Sequence, residues 1–245
     1  LDFFSYHYDK GYAWYERQFT PGESRVGAIG EVSPSYFHEP AVPARVHGYA
    51  PELKIVLSLR DPVERAISHH RHAVRIGDVV GDDLSFETAL EKNPTYLDQG
   101  RYATHLSRWL EFFSEEQVLV LFLQDIVADA PQVAQSLYRF LEIEPSFRSE
   151  AENRKSNKSH FSPHSTLERL RKTMKTQARG LGLGRLWEQF AKLGVRDLYR
   201  KVNRRPSDEI IPPARPETLV ELRAFFDEEV SRLEDLVQRD LSAWK

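Results

Sequence analysis

The fold is decided by KIVLSLRDPVERAISHHRHAVRIG, residues 54–77. The apolar run from Lys54 to Leu59 is short and typical of a buried strand. The Asp61-Pro62 pair then marks a helix start, because proline in the first turn lacks only an N–H that has no helical partner. The helix is predicted to continue to about Ile76 and to end before a glycine. A buried strand that leads directly into a helix is the repeating unit of α/β folds.

Two further apolar runs, residues 26–31 and 118–123, predict strands of the same buried kind. Continuous apolar strands separated by helices indicate a parallel sheet that helices cover on both faces. We therefore expect an α/β fold with a central parallel sheet. Helical spacing or helix-start residues predict the other helices: within the aromatic-rich residues 1–19, then residues 41–49, 85–92, 102–113, 131–141, 165–177, 183–193 and 216–239.

Composition excludes several classes of protein. The chain has 245 residues, 40% hydrophobic and 11% aromatic, which excludes disorder as a description of the whole chain. No apolar stretch approaches the ~20 residues of a membrane-spanning helix, and the mean hydropathy is −0.54. Cysteine is absent, so disulfides, thiolate metal sites and a cysteine nucleophile are excluded. The length fits one large α/β domain or two small ones.

Charge is unevenly distributed along the chain. Residues 151–205 contain 15 Lys and Arg but only 4 Asp and Glu, whereas the whole chain has a net charge of −3. A basic segment on an otherwise acidic protein indicates an anionic partner. A solvated helical face gives the same pattern, and the sequence leaves both interpretations open. We do not expect nucleic acid as the partner, because no aromatic stacking pattern or recognition motif accompanies these charges.

A candidate anion site follows the strand of residues 54–59. Ligands of parallel α/β sheets bind beyond the carboxyl ends of the strands. Arg60 stands there, beside a helix N-terminus whose N–H groups and dipole favour an anion, and its planar guanidinium suits phosphate. Ser68, about two turns along the helix, can add a hydroxyl from the same side. In the alternative interpretation, Arg60 caps a neighbouring helix or pairs with Asp61.

Glu31 is the candidate general base. It ends the strand predicted for residues 26–31 and precedes the Ser33-Pro34 turn. A carboxylate at this edge of the sheet can accept a proton from a substrate hydroxyl. The structural alternative is a carboxylate that caps a helix or pairs with an arginine. None of the histidines shows a spacing with carboxylates that is typical of a metal site.

Four stretches, in the same order along the chain, resemble one protein family. RDPVERAIS, residues 60–68, resembles the 3′-phosphate-binding motif of sulfotransferases that use 3′-phosphoadenosine 5′-phosphosulfate (PAPS), above all the Golgi heparan sulfate enzymes and their bacterial relatives. GEVSPSYF, residues 30–37, is similar to the family's Gly-Glu-Lys-Ser/Thr-Pro-x-Tyr-Phe motif. Residues 100–131 resemble its Gly-x-Tyr helix-strand-loop unit, and residues 222–244 resemble its C-terminal helix and tryptophan tail.

The resemblance implies a P-loop-NTPase-like, three-layer α/β fold, with residues 1–245 as a single sulfotransferase domain. It implies that Arg60 and Ser68 hold the 3′-phosphate of PAPS and that Glu31 is the general base. The sulfuryl group would pass to a hydroxyl, or in second place an amine, of a carbohydrate or other small acceptor, which can be anionic. No metal ion is implied, and we expect a bacterial cytoplasmic protein rather than one of the Golgi lumen.

Two departures from the family pattern affect these expectations. Val32 stands where the family often has a lysine that meets the sulfonate, which weakens the case for a heparan-like acceptor. The family's first strand and its Lys-x-Gly-Thr-Thr/Ser loop have no counterpart. Because the chain starts at Leu1 and its one methionine is Met174, we expect both upstream. The alternatives are a kinase-like, nucleotide-dependent enzyme on the same fold, or a non-catalytic module that binds a polyanion.

Overall fold

The computed structural model describes residues 1–19, 28–144, 160–161, 205–206 and 211–245. Contacts along the chain divide it into two compact units. The first unit consists of Leu1–Glu64, Leu97–Arg154 and Glu221–Lys245. The second unit consists of Arg65–Tyr96 and Lys155–Val220.

A parallel sheet lies in the first unit, formed by β1 (Ile55–Leu59) and β2 (Val118–Phe122). The register pairs Ile55 with Val118 and Leu59 with Phe122, so the carboxyl ends of both strands meet at one edge. Leu59 and Phe122 are buried. Both strands confirm the predictions from the apolar runs, except that Leu123 begins a helix instead of ending the second strand.

The helices along the chain, together with the parallel strands, confirm the predicted α/β class. In chain order they are α1 (Phe3–Tyr6), α2 (Tyr12–Glu16), α3 (Val42–Tyr49), α4 (Pro62–Ile76), α5 (Phe86–Lys92), α6 (Thr95–Asp98), α7 (Tyr102–Leu110), α8 (Leu123–Ala128), α9 (Ala130–Phe140) and α10 (Pro216–Val237). None of the helices in the described ranges is long and apolar enough to cross a membrane. The helices predicted for residues 165–177 and 183–193 lie outside the described residues.

Shorter elements complete the description of the two units. A two-residue antiparallel ladder in the second unit pairs β3 (His160–Phe161) with β4 (Arg205–Pro206). The 3₁₀ turns are Tyr8–Lys10, Pro34–Tyr36, Gly81–Leu84, Glu115–Gln117 and Ser242–Trp244.

Aromatic side chains of α1 and α2 form much of the core of the first unit. The rings of Phe3 and Tyr15 stack with their centroids 4.6 Å apart, and Phe4 meets Tyr15 edge-on at 5.1 Å. These rings belong to one buried cluster with Trp109 and Phe113. Buried aromatic rings remove large apolar areas from water and fix each other's orientation. The cluster therefore provides a rigid support for the polar groups at its margin.

In the second unit, helix α4 packs through its apolar face and one buried histidine. His70 is fully buried, and its Nε2 lies 2.9 Å from the carbonyl oxygen of Leu84. Its ring lies against Phe86 and Tyr96. Since a buried polar atom is costly unless it is hydrogen-bonded, the contact with Leu84 gives His70 a structural role.

The strand predicted for residues 26–31 is wrong over its described part. Residues 28–33 have irregular backbone, and residues 26–27 lie outside the described residues. The side chains of Ile29 and Val32 are 58% and 88% exposed, so they do not face a core. A strand needs a neighbour that completes its ladder of hydrogen bonds. In the described part of the chain, the parallel sheet contains β1 and β2 alone.

Candidate functional site

Asp61 fixes the start of helix α4 directly after Arg60. Its Oδ1 accepts hydrogen bonds from the backbone N–H groups of Val63 (2.8 Å) and Glu64 (3.1 Å). These are donors that a helix N-terminus leaves without a helical partner. The cap ends the extended backbone of β1 and holds Arg60 between the strand and the helix. Arg60 therefore lies at the edge of the sheet where the sequence places it.

Arg60 is half-buried at this edge. Burial lowers its pKa, and the nearby Tyr102, Glu64 and Asp61 oppose that effect. A guanidinium nonetheless stays charged at neutral pH. Arg60 therefore presents a positive charge in a partly desolvated position, where an anion is bound more strongly than at a fully hydrated surface.

Arg223 is a partner of Asp61 that sequence reasoning missed. Its Nη1 lies 2.5 Å from Oδ2 of Asp61 and also donates to the carbonyl oxygen of Trp244 at 2.7 Å. One oxygen of Asp61 therefore caps α4, and the other is bound by α10. This arrangement ties the C-terminal segment to the backbone next to Arg60.

The C-terminal segment also contacts the end of β2. Arg239 forms a two-pronged ion pair with Asp125, and its guanidinium lies over the ring of Phe122 at 4.2 Å. The indole N–H of Trp244 donates to Oε1 of Gln124 at 3.1 Å. The C-terminal residues thus contact the chain next to both strand ends at the carboxyl edge. The segment that resembles the family's C-terminal helix and tryptophan tail, residues 222–244, therefore borders this edge of the sheet.

Gly100 permits a close approach between the start of α7 and helix α10. A Cβ atom at this position would lie 2.6 Å from the ring of Phe226 and 3.3 Å from Pro62. Four residues later, Thr104 donates its backbone N–H and its hydroxyl to the carboxylate of Glu229. The missing side chain at Gly100 and the two hydrogen bonds from Thr104 to Glu229 hold α7 and α10 close together.

Ser68 lies on helix α4 and is half-buried. It belongs to the second unit, whereas Arg60 and Glu31 belong to the first. That Ser68 and Arg60 hold one phosphate together stays a prediction from the resemblance.

Glu31 lies in the irregular segment before the Pro34–Tyr36 turn, with 12% of its side chain exposed. Its Oε1 accepts hydrogen bonds from the hydroxyls of Tyr15 (3.0 Å) and Tyr36 (2.8 Å). Its Oε2 lies 3.4 Å from the hydroxyl of Ser33 and 3.5 Å from the backbone nitrogen of Leu1. Within the described residues, no helix N–H group and no arginine binds the carboxylate of Glu31.

A small network of hydrogen bonds positions the segment that carries Glu31. The hydroxyl of Ser33 accepts the backbone N–H of Asp2 at 3.0 Å, and the hydroxyl of Tyr36 accepts that of Phe4 at 3.2 Å. Helix α1 thus holds both ends of the turn. Tyr15 and Tyr36 are polar partners that sequence reasoning missed, although Tyr36 lies inside the motif GEVSPSYF.

The two tyrosines that contact Glu31 are both buried enough to change their acidity. Burial raises the pKa of Tyr36 to about 12, with a further contribution from the hydrogen bond to Glu31. Burial and the charge of Glu31 raise the pKa of Tyr15 still further. Both hydroxyls are therefore protonated at neutral pH and act as donors toward the carboxylate.

The part of the chain that the structure describes holds no group of three His, Asp or Glu side chains arranged for a metal ion. The basic residues between 151 and 204, which the sequence associates with an anionic partner or a solvated face, lie outside the described side chains. The choice between these interpretations stays open.

Comparison with known proteins gives a consistent result. The family model described as "Sulfotransferase domain" matches residues 7–197. The chain is 33% identical over 146 residues to bifunctional heparan sulfate N-deacetylase/N-sulfotransferase 1 of Caenorhabditis elegans, covering 56% of this chain and 17% of that protein. It is 31% identical over 158 residues to bifunctional heparan sulfate N-deacetylase/N-sulfotransferase 2 of Homo sapiens. That match covers 59% of this chain and 18% of that protein. The chain thus spans about a sixth of the length of these curated relatives.

A solved structure supports the fold over most of the chain. The crystal structure of a sulfotransferase from Alicyclobacillus acidocaldarius matches with a TM-score of 0.65 and 24% identity. The match covers 96% of this chain and 74% of the other. The likeness confirms the predicted P-loop-like α/β fold.

Proposed function

The chain belongs to the sulfotransferase domain family, and on this premise we propose that it transfers the sulfuryl group of PAPS to a carbohydrate acceptor. The observation that carries the proposal is the position of Arg60 at the carboxyl edge of β1, next to the capped start of α4. Helix N–H groups and a guanidinium in one place favour a phosphate. The names of the relatives support a carbohydrate, since they are described as heparan sulfate enzymes.

In the proposed reaction, the acceptor attacks the sulfur of PAPS in line with the departing phosphate oxygen. A bond forms between the acceptor atom and sulfur, and the bond between sulfur and the 5′-phosphate oxygen breaks. The acceptor's proton passes to the carboxylate of Glu31. Adenosine 3′,5′-bisphosphate (PAP) leaves, held until then by Arg60 and Ser68 at its 3′-phosphate. Positioning of both reactants lowers the barrier, because the attack becomes effectively unimolecular.

The test of the nucleotide site is the affinity for PAP, measured by calorimetry. Arg60→Ala removes one charge-assisted contact, so we expect affinity to fall by about tenfold to a hundredfold. Arg139→Ala is the matched control, because Arg139 is an exposed arginine of α9 in the same unit as Arg60. The affinity of this control variant for PAP should equal that of the wild type. Equal affinities for wild type and Arg60→Ala would contradict the assignment.

The acceptor atom is a second question, and the relatives favour an amine. They are described as N-sulfotransferases. The expectation from the sequence is a hydroxyl as the first acceptor and an amine as the second. A matched pair of oligosaccharides separates the two, one with free amino groups and the other with the same groups N-acetylated. Transfer of labelled sulfate to both indicates a hydroxyl acceptor. Transfer to the free amine alone indicates a nitrogen acceptor.

The same assay separates the remaining alternatives. A kinase-like enzyme would use ATP and leave PAPS intact. A non-catalytic module would bind the oligosaccharide and show no transfer from PAPS. Transfer of the sulfuryl group from PAPS, with PAP as the second product, contradicts both alternatives.

A further inference from the structure

Two tyrosines hold the carboxylate of Glu31 by one of its oxygens. We propose that Tyr15 and Tyr36 are positioning residues, which bind Oε1 of Glu31 and so leave Oε2 as the atom that receives the acceptor's proton. This inference rests on the proposed function, because it assumes that Glu31 is the base.

The distances distinguish the two oxygens of the carboxylate. Oε1 lies 3.0 Å from the hydroxyl of Tyr15 and 2.8 Å from that of Tyr36. A carboxylate oxygen has two lone-pair positions, so these donors occupy Oε1. The contacts of Oε2, with the hydroxyl of Ser33 at 3.4 Å and the backbone nitrogen of Leu1 at 3.5 Å, are longer. Oε2 therefore keeps the capacity to accept a further hydrogen bond.

The hydroxyl of Tyr36 is bound from two sides. It accepts the backbone N–H of Phe4 at 3.2 Å and donates to Oε1 of Glu31 at 2.8 Å. The ring of Tyr36 meets Phe4 edge-on at 5.7 Å, which restrains the ring as well. Helix α1 therefore helps to hold this hydroxyl in place against Glu31.

Tyr15 is held equally firmly from the other side. It is 7% exposed, and its ring stacks on Phe3 at 4.6 Å and meets Phe4 and Tyr49 edge-on. A side chain fixed by rings on several sides loses little freedom when its hydroxyl binds the carboxylate. Both tyrosines therefore fix the rotation of the Glu31 carboxylate before any substrate binds.

The tyrosines remain donors throughout the reaction. Burial raises the pKa of Tyr36 to about 12 and that of Tyr15 further, so neither hydroxyl takes the acceptor's proton. The proton lost by the acceptor goes to Oε2, and the two tyrosines keep their own.

The groups that face this carboxylate come from several elements. They are Tyr15 of α2, Tyr36 of the Pro34–Tyr36 turn and Ser33 just before that turn, and Tyr49 of α3 packs against Tyr15. The tyrosines are neutral over the working range, so removal of their hydroxyls changes hydrogen bonding and leaves the net charge unaltered.

The test uses Tyr15→Phe, Tyr36→Phe and the double variant in the complete protein. Each change keeps the ring and removes one hydroxyl. The matched control is Tyr12→Phe, because Tyr12 lies in the same aromatic cluster and its hydroxyl bonds that of Tyr8 at 3.0 Å. PAP affinity and the melting temperature show whether each variant is folded. If the double variant is unfolded, the two single variants carry the test.

We expect turnover of the double variant to fall by about tenfold to a hundredfold, the scale of a misplaced catalytic group. PAP affinity should stay at the wild-type value. The loss should fall on kcat and leave the KM for the acceptor near the wild-type value, because the tyrosines orient the base and are not proposed to touch the acceptor. Tyr12→Phe should keep wild-type turnover.

Three outcomes overturn the inference in different ways. If Glu31→Gln is inactive but the double variant keeps wild-type turnover, Glu31 remains the base and the tyrosines do not position it. If Glu31→Gln keeps wild-type turnover, the assigned base and its positioning fail together. A loss of turnover no larger than that of Tyr12→Phe, or one that appears in the KM for the acceptor and not in kcat, identifies the tyrosines as structural and also contradicts the inference.

Discussion

At the scale of single residues, the site depends on carboxylates whose two oxygens have different partners. Asp61 caps α4 with one oxygen and binds Arg223 with the other. Glu31 binds two tyrosines with one oxygen and has only longer contacts at the other. Both oxygens of Asp61 therefore have a structural partner, whereas Glu31 keeps one oxygen for the proton transfer that we propose.

Glu31→Gln separates the proposed role of Glu31 as a base from the proposed nucleotide site at Arg60. Glutamine keeps the shape and one acceptor oxygen but cannot take the proton. We expect kcat to fall by about 10²–10⁴, the range for loss of a general base, while PAP affinity stays within a few-fold of the wild type. Steady-state kinetics and calorimetry provide the two measurements. Arg60→Ala should give the reverse pattern, so a loss of nucleotide affinity in Glu31→Gln would argue against the assigned role.

At the scale of secondary-structure elements, helix α10 joins the parts of the first unit that surround the sheet edge. Arg223 reaches the start of α4, Glu229 binds the start of α7, and Phe226 packs directly on Gly100. These contacts lie on one side of a long helix. The elements that carry Arg60 and Tyr102 are therefore held by a segment far away in sequence.

Gly100→Ala tests this packing. The added methyl group would lie 2.6 Å from the ring of Phe226, so the ring or the helix must shift. Overpacking of this kind costs about 1–3 kcal/mol, and we expect a lower free energy of unfolding by that amount in urea denaturation.

Gly48→Ala is the control for Gly100→Ala. Gly48 lies in α3, and no atom lies within 4 Å of a Cβ placed there. Alanine is a better helix former than glycine by up to about 1 kcal/mol, so this variant should be as stable as the wild type or more stable. Equal destabilisation by both changes would show that Phe226 is not the cause.

At the scale of the whole first unit, stability depends on pH through the ion pair of Asp125 and Arg239. The hydrogen bonds from Arg239 lower the pKa of Asp125 in the folded protein. A carboxylate with a lowered pKa stabilises the folded state above its unfolded pKa of about 3.9, and the effect disappears as pH falls through the folded value.

Asp125→Asn isolates this contribution. We expect the variant to have a lower urea midpoint than the wild type at pH 7. The difference should shrink as the pH is lowered below about 4, because the wild-type carboxyl group then becomes neutral as well. The pair is partly exposed, so the difference at pH 7 should also decrease with added salt. A difference independent of pH would indicate lost packing, not lost charge.

Local sequence patterns determine both strands of the parallel sheet, the start of α4 and the position of Arg60. The apolar runs before Arg60 and after Gln117 predict β1 and β2, and the Asp61-Pro62 pair predicts the start of α4. These features depend on residues next to each other in the chain, so they are visible without a structure. The position of Arg60 can be predicted in the same way, because it is the first residue after β1. Ligands of parallel sheets bind beyond the carboxyl ends of the strands.

Tertiary structure alone decided the environment of Glu31 and the contacts of the C-terminal helix. An apolar run such as residues 26–31 forms a strand only if a neighbouring strand pairs with it. In the described part of this run, no strand does so. Tyr15 reaches Glu31 across 16 residues of chain, and Arg239 reaches Asp125 across 114. Such pairs carry no local signal, because each side chain fits its own helix or turn equally well with a different partner. Packing brings them together, and with them the difference between the two oxygens of Glu31.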